Sequence, residues 1–150
     1  MPHRIAIAAD HAAYAMKAEL AEWLREQGHD VLDLGTNGPE RVDYPDFGYR
    51  LGDAIADGRA DYGVALCGSG IGISIAANRN PAVRCALVSE PLSAALARQH
   101  NDANAIALGA RLTGIDMAKA CIATFLSTAF EGDRHTARVA KLGHPERTLA

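Results

Sequence analysis

Aromatic residues are scarce, at 5% of 150 positions, so small aliphatic side chains rather than rings have to fill the core. Cysteine is scarce too. Cys67, Cys85 and Cys121 form an odd, widely spaced set without a Cys-x-x-Cys, which excludes a disulfide framework and a zinc knuckle and leaves reduced thiols. The six histidines include neither the i, i+4 pair of a metal-binding helix nor a tight cluster with cysteine, so no metal is expected. An excess of one charge is also missing. Fifteen Lys and Arg against eighteen Asp and Glu leave a net charge of -3, which gives no support to a nucleic-acid partner and requires any phosphate recognition to be local. No apolar run reaches the length of a membrane span or a signal-peptide core: the first, Ile5 to Ala9, already ends at Asp10-His11. A cytoplasmic chain without a membrane partner is the expectation. What is present is the ordinary balance of a globular protein, 49% hydrophobic and 22% charged, at a length that predicts one domain over residues 1–150.

Short apolar runs recur at Ile5 to Ala9, Val31 to Leu34, Gly63 to Cys67, Cys85 to Val88 and Ala105 to Leu108, with the length and punctuation of buried strands. Helical spacing separates them. Met16, Leu20, Trp23 and Leu24 fall at i, i+4, i+7 and i+8, with Gly28 beyond as a C-cap. Phe47, Leu51, Ala54 and Ile55 repeat the pattern before Gly58, and Ile115, Ala118, Ile122, Phe125 and Leu126 form a later stripe. Pro91 opens a shorter helix carrying Leu92 and Leu96. The alternation of strand and helix predicts a Rossmann-like three-layer α/β/α sandwich with a five-stranded parallel sheet, because parallel strands require crossover connections. Gly35 to Asp46 is the one stretch long enough to be a shaped loop.

Ligands in such sheets bind beyond the carboxyl ends of the strands, so the residues just after each strand carry the functional reading. Asp10 and His11 follow the first strand, and Asp10 can cap a helix as well as meet a ligand. Cys67-Gly68-Ser69-Gly70-Ile71-Gly72 follows the third and runs into a helical pattern from Ile73 to Asn78. These glycines either make a tight turn and nothing more, or let backbone N–H groups converge on an anion. Cys67 stands at the mouth of the loop, where amide dipoles favour thiolate over thiol and make it a candidate base or nucleophile. A free cysteine is more commonly an inert core residue, the reading that fits Cys85 and Cys121.

A dense polar set, Arg98-Gln99-His100-Asn101-Asp102-Ala103-Asn104, precedes the fifth strand. A helix leading into a strand ends at the amino edge of its own sheet, so His100 is expected on the edge opposite Cys67 and out of its reach. If both act in catalysis, the solution is a twofold dimer in which the His100 end of one subunit closes the Cys67 mouth of the other. Arg134 and Arg138 share a face at i, i+4 if their segment is helical, where two guanidiniums can grip one phosphate or simply form a solvated basic face. Arg111, after the fifth strand, is a further cation, and Lys17 is expected to face solvent on the first helix.

Ala9-Asp10-His11, Gly35-Thr36, Asp43-Tyr44-Pro45, the run from Cys67 to Asn78, Ser89-Glu90-Pro91, Arg98 to Asn104, Gly109-Ala110-Arg111 and Glu131 to Arg138 stand in order over nearly the whole chain. The combination resembles the type B ribose-5-phosphate isomerase family, whose relatives include the allose- and galactose-6-phosphate isomerases. The resemblance implies an aldose–ketose isomerase that uses no metal or other cofactor, active as at least a homodimer with a tetramer left open. It implies interconversion of D-ribose 5-phosphate and D-ribulose 5-phosphate through a cis-enediolate. Under it, Cys67 is the base that moves a proton between C1 and C2, and His100 assists ring opening. The amides around Gly68, Ser69, Gly70, Ile71 and Gly72, with Asn101, match the group that stabilises the enediolate oxygen. Asp10 and His11 match sugar-binding positions, and Arg111, Arg134 and Arg138 match binding positions that include the phosphate contacts. Some relatives carry a glutamate at the position aligned with Ile73; isoleucine cannot act as a base, which leaves the thiol route. Allose 6-phosphate, galactose 6-phosphate or a tetrose phosphate are the alternative substrates.

Two readings from other classes compete. A nucleotide-binding module draws on the glycine loop and on Glu90 after the next strand, but the glycines run G-x-G-x-G instead of G-x-G-x-x-G and follow the third strand, not the first. A redox-sensing thiol protein lacks a resolving cysteine near Cys67.

Overall fold

The computed structural model describes residues 2–146. Its strands are β1 (Arg4–Ala9), β2 (Asp30–Asp33), β3 (Tyr62–Cys67), β4 (Cys85–Leu87) and β5 (Ala105–Gly109). Its helices are α1 (Tyr14–Glu26), α2 (Tyr44–Ala56), α3 (Ile71–Ala77), α4 (Pro91–Asn101), α5 (Ile115–Ser127) and α6 (Arg134–Leu142). All five strands pair in parallel, in the order β2-β1-β3-β5-β4. Helices α1, α4 and α5 pack on one face of the sheet and α2 and α3 on the other, which is the three-layer sandwich expected from the alternation. Helix α6 adds to that alternation and follows α5 directly. Among the described residues, no helix is long and apolar enough to cross a membrane.

The two faces of the sheet are built from different side chains. Successive strand residues point to opposite faces. Ile5, Ile7, Val64, Leu66, Ile106 and Leu108 point toward α1, α4 and α5, while Ala6, Ala8, Ala65, Ala105 and Ala107 point toward α2 and α3. Phe125 of α5 fills the larger-residue side at 1% exposure, so one ring does much of the work that more aromatics would do elsewhere. On the alanine side the helices come close. A Cβ at Gly48 of α2 would stand 2.6 Å from Ala76 Cβ of α3, so this crossing admits glycine alone. Cys67 is the last member of the small-residue row and therefore emerges at the carboxyl edge of the sheet.

Lys17 departs from expectation. It does not face solvent: it is 1% exposed, and its ammonium donates to both Asp33 carboxylate oxygens at 2.7 and 2.6 Å and to Asn37 Oδ1 at 2.9 Å. Lys17, Leu20, Ala21 and Leu24 form the buried stripe of α1, so the aliphatic stem continues an apolar row and the charged head meets an acid at the exit of β2. Periodicity reads a lysine as outward because the partner that satisfies it lies on another element. The shaped loop is also shorter than expected. Helix α2 begins at Tyr44, with Asp43 at its N-cap position and Pro45 in its first turn, so the loop ends before Asp46.

Candidate active site

The chain leaves β1 for β2 on one side and returns to β3 on the other, opening a crevice at the carboxyl ends of β1 and β3. A cavity of about 540 Å³ lies there. Asp10 after β1, Tyr44 at the start of α2, Cys67 and its loop residues Gly68, Ser69, Ile71 and Gly72, and Arg111 after β5 all line it.

The glycine loop serves two purposes. Gly70 has φ +79° and its N–H donates to Cys67 Sγ at 3.1 Å; a Cβ there would lie 2.8 Å from the Leu108 carbonyl carbon. Gly68 and Gly72 make room instead. The Arg111 guanidinium lies against Gly68, 3.3 Å from where a Cβ would be, and the Tyr44 ring occupies the space a Cβ on Gly72 would need. Ile71 N–H donates to Ser69 Oγ at 3.2 Å. Two of the loop amides are thus committed to the loop itself, one of them to the sulfur. Cys67 is 4% exposed and is backed by Ile73, which is fully buried in the same cluster. Elsewhere in the chain, burial pushes Cys85 up to about 12 and also raises Cys121.

Asp10 is 7% exposed and lines the cavity without capping α1, whose N-cap is Ala13 and receives no side-chain hydrogen bond. Its Oδ1 accepts the Ala12 N–H at 3.0 Å, ahead of α1, while the residue forms part of the cavity wall. His11 turns toward the loop between β2 and α2, with Nδ1 3.1 Å from the Val42 nitrogen and 3.2 Å from its carbonyl oxygen. It supports the wall and is not among the cavity's lining residues.

His100, Asn101 and Arg138 meet elsewhere. With His135, Val139 and Leu142 they line a second cavity of about 270 Å³ between α4 and α6. The His100 and His135 rings stack at 4.4 Å between centroids and 15° between planes. His135 is 6% exposed, its Nε2 has no hydrogen-bond partner among the described residues, and Glu131 Oε1 stands 3.6 Å away. Desolvation first, and then the positive charge of Arg134, hold the His135 imidazole below its ordinary pKa and so favour its neutral form. Arg134 and Arg138 are both exposed on α6, but Arg138 alone of the two lines the cavity. Among the described residues, His100, Glu131 and His135 could hold a metal ion, with ligand atoms within 4.8 Å of one another. An imidazole binds a metal along an in-plane lone pair, and two stacked rings direct those lone pairs side by side instead of at one point, so the arrangement is a poor cage.

The two cavities share no residue. Helix α4 runs back across the sheet to its amino edge, where Asn104 bonds the Arg84 N–H and the Ala82 carbonyl just ahead of β4. A six-residue strand such as β3 rises about 3.3 Å per residue, so the two edges stand roughly 17–20 Å apart. His100 cannot reach the Cys67 of its own chain, as the topology predicts. A larger cavity of about 700 Å³ between α1 and α5 is lined by Trp23, His3, His29 and Leu126 among others, and among the described residues no thiol, carboxylate, lysine or arginine lines it.

The Ribose/Galactose Isomerase family model matches residues 5–142. The chain belongs to the ribose/galactose isomerase family. It is 43% identical over 136 residues to ribose-5-phosphate isomerase B of Escherichia coli, covering 91% of each chain. It is 41% identical over 143 residues to D-erythrulose-4-phosphate isomerase of Pectobacterium atrosepticum, covering 95% of this chain and 94% of that one. The solved structure of Clostridium thermocellum ribose-5-phosphate isomerase B superposes with a TM-score of 0.93 at 45% identity, covering 95% of this chain and 97% of that one. The chain is an aldose–ketose isomerase of this family.

Within this ribose/galactose isomerase fold, two residues at the cavities went unassigned by sequence reasoning. Tyr44 stands in the Asp43-Tyr44-Pro45 motif, but its purpose appears only when its ring is seen lying over Gly72. His135 sits between two arginines that drew attention to themselves; the signal available was Glu131 four residues earlier, an acid that precedes α6 and stands 3.6 Å from the imidazole. Glu90, the acid on which the nucleotide reading leaned, is consumed in capping α4, accepting the Leu92 and Ser93 N–H groups at 2.6 and 2.9 Å.

Proposed function

We propose that the protein interconverts D-ribose 5-phosphate and D-ribulose 5-phosphate, with two copies of the chain completing each active site. The observation that carries the chemistry is Cys67 Sγ in the wall of the carboxyl-edge cavity, with the Gly70 N–H 3.1 Å from it. Abstraction of a proton next to a carbonyl needs a base and donors aimed at the oxygen that gains charge. The Cys67 thiolate takes the proton from C2 of the open-chain aldose, and the electron pair moves into the C1–C2 bond and onto O1. The proton returns to C1 as the pair on O2 re-forms a carbonyl, and a proton passes from O2 to O1. Amides of the Gly68–Gly72 loop, together with the partner's Asn101, hold the charge of the cis-enediolate. Asp10 binds the sugar, whereas His11 is turned onto Val42 and supports the neighbouring loop instead of meeting the substrate.

The second copy supplies what the first cannot reach. His100 of the partner subunit donates a proton to the ring oxygen and accepts one from the anomeric hydroxyl, which opens the furanose. Arg134 and Arg138 of the partner subunit, with Arg111 from the cavity's own chain, bind phosphate by forked, charge-assisted hydrogen bonds and hold the reacting carbons against Cys67. Ile71, Ile75 and Leu112 support a covering subunit: each is at least half exposed, at 50%, 52% and 73%, and they lie around the Cys67 mouth. No cofactor has a part in this chemistry.

Similarity to ribose-5-phosphate isomerase B supports a five-carbon substrate, and similarity to D-erythrulose-4-phosphate isomerase supports a four-carbon one as the second reading. A panel of erythrose 4-, ribose 5-, allose 6- and galactose 6-phosphates distinguishes them. Ribose 5-phosphate is expected to lead in kcat/KM by about tenfold or more, the discrimination a pocket achieves for one carbon more or less. A tetrose or hexose phosphate leading by that margin overturns the substrate assignment.

A further inference from the structure

We propose that Lys17 is a positioning residue for the active site, its buried ammonium holding the loop between β2 and α2 in the shape that places Asp10 and Tyr44 in the wall of the Cys67 cavity. The proposal rests on the isomerase reading of that cavity. Lys17 is 1% exposed and donates to three oxygens, both from Asp33 and one from Asn37. Asp33 ends β2, and Asn37 lies inside the loop, so one ammonium fixes where the loop starts and where it goes next.

From that anchor the contacts run to the cavity. Asp33 Oδ1 also accepts the Gly35 N–H at 2.9 Å. The Gly35 carbonyl then accepts the Ala9 N–H at 2.8 Å, and the Thr36 N–H donates to the Ala9 carbonyl at 2.7 Å, which fastens the loop to the residue before Asp10. Further along, Val42 bonds the His11 ring, and Tyr44 lays its ring over Gly72 of the loop that follows Cys67. Three parts of the cavity wall, at Asp10, at Tyr44 and at Gly72, therefore depend on where residues 34–43 sit. A methionine fills the α1 stripe about as well as the stem of a lysine. What methionine cannot do is specify a direction for Asp33 and Asn37, and that specification is the use a buried charge pair offers beyond stability.

Two variants separate positioning from stability: Lys17→Met, and Lys17→Met combined with Asp33→Asn. Each is measured for Tm, for kcat and KM on ribose 5-phosphate, and for the rate at which iodoacetamide alkylates Cys67, followed on the Cys67 peptide. Lys17→Met is expected to lower Tm because Asp33 loses its counter-charge, and Asp33→Asn to restore most of it while keeping an oxygen for the Gly35 N–H. In both variants kcat is expected to fall by about 10²-fold with a smaller change in KM, the cost of a misplacement of about 1 Å. Cys67 is expected to alkylate several-fold faster in both as the wall loosens. A double variant with Tm restored and either kcat or alkylation at the wild-type level overturns the proposal. If the wild-type protein does not turn over ribose 5-phosphate, the function assignment fails on that result alone, and the alkylation rates still decide the clamp: faster in the double variant supports it, unchanged overturns it.

Discussion

Cys67→Ala is expected to lower kcat on ribose 5-phosphate by about 10³-fold, within the range of about 10² to 10⁴ that a positioned base contributes. The fold is expected to survive. Position 67 closes a row already made of Ala65, Ala105 and Ala107, so alanine suits its surroundings on the α2 and α3 side. The lost sulfur faces the cavity, where water can take its place at the Gly70 N–H. Binding of the sugar phosphate is expected to persist, because the substitution leaves every arginine assigned to the phosphate in place, two of them on the other subunit. Cys67→Ser is the sharper variant, since it retains a hydrogen-bonding side chain of similar size yet has no acidity in the working pH range; it is expected to lose as much as alanine does. Steady-state kinetics, with a thermal shift on ribose 5-phosphate to confirm binding, checks both. A kcat within about tenfold of wild type in either variant contradicts the base assignment.

His100→Asn is expected to act on ring opening and not on proton transfer between carbons. On ribose 5-phosphate, which is mainly cyclic, turnover is expected to fall by about 10²-fold, the lower end of acid–base contributions. Erythrose 4-phosphate carries its phosphate on the hydroxyl that would close a five-membered ring, so it presents an open chain and is expected to lose far less. A second signature needs no second substrate. As the concentration of the variant rises, its rate on ribose 5-phosphate is expected to level off at the uncatalysed rate of ring opening, whereas the wild-type rate keeps rising. Equal loss on both substrates together with a rate proportional to variant concentration contradicts the assignment.

The strands were legible because each is a short apolar run bounded by turn residues, and the helices because their stripes recur at 3.6-residue spacing. That reading extends to a consequence, the separation of His100 from Cys67, since parallel topology alone dictates that a helix before a strand ends at the amino edge. Lys17 was misread for a physical reason: a charged residue on an amphipathic helix faces out unless something inside neutralises it, and Asp33 and Asn37 lie on other elements. The glycine loop was legible as part of the crevice wall but not in its division of labour. One positive φ at Gly70 and two close approaches, by Arg111 and by the Tyr44 ring, look alike as G-x-G-x-G. His135 was hidden because its stacking on His100 is a contact between α4 and α6, which nothing in either segment announces.

The central claim is that each active site takes its base from one subunit and its ring-opening histidine from the other. Mixing the two impaired variants tests it most directly. Cys67→Ala and His100→Asn are combined in equal amounts, dissociated and allowed to reassociate, and assayed on ribose 5-phosphate. About half of the resulting dimers are mixed, and in each mixed dimer one site pairs the intact Cys67 of one chain with the intact His100 of the other, so activity is expected to return to about a quarter of wild type. Activity that stays at the level of the separate variants, under conditions where mixed dimers are shown to have formed, contradicts a shared site.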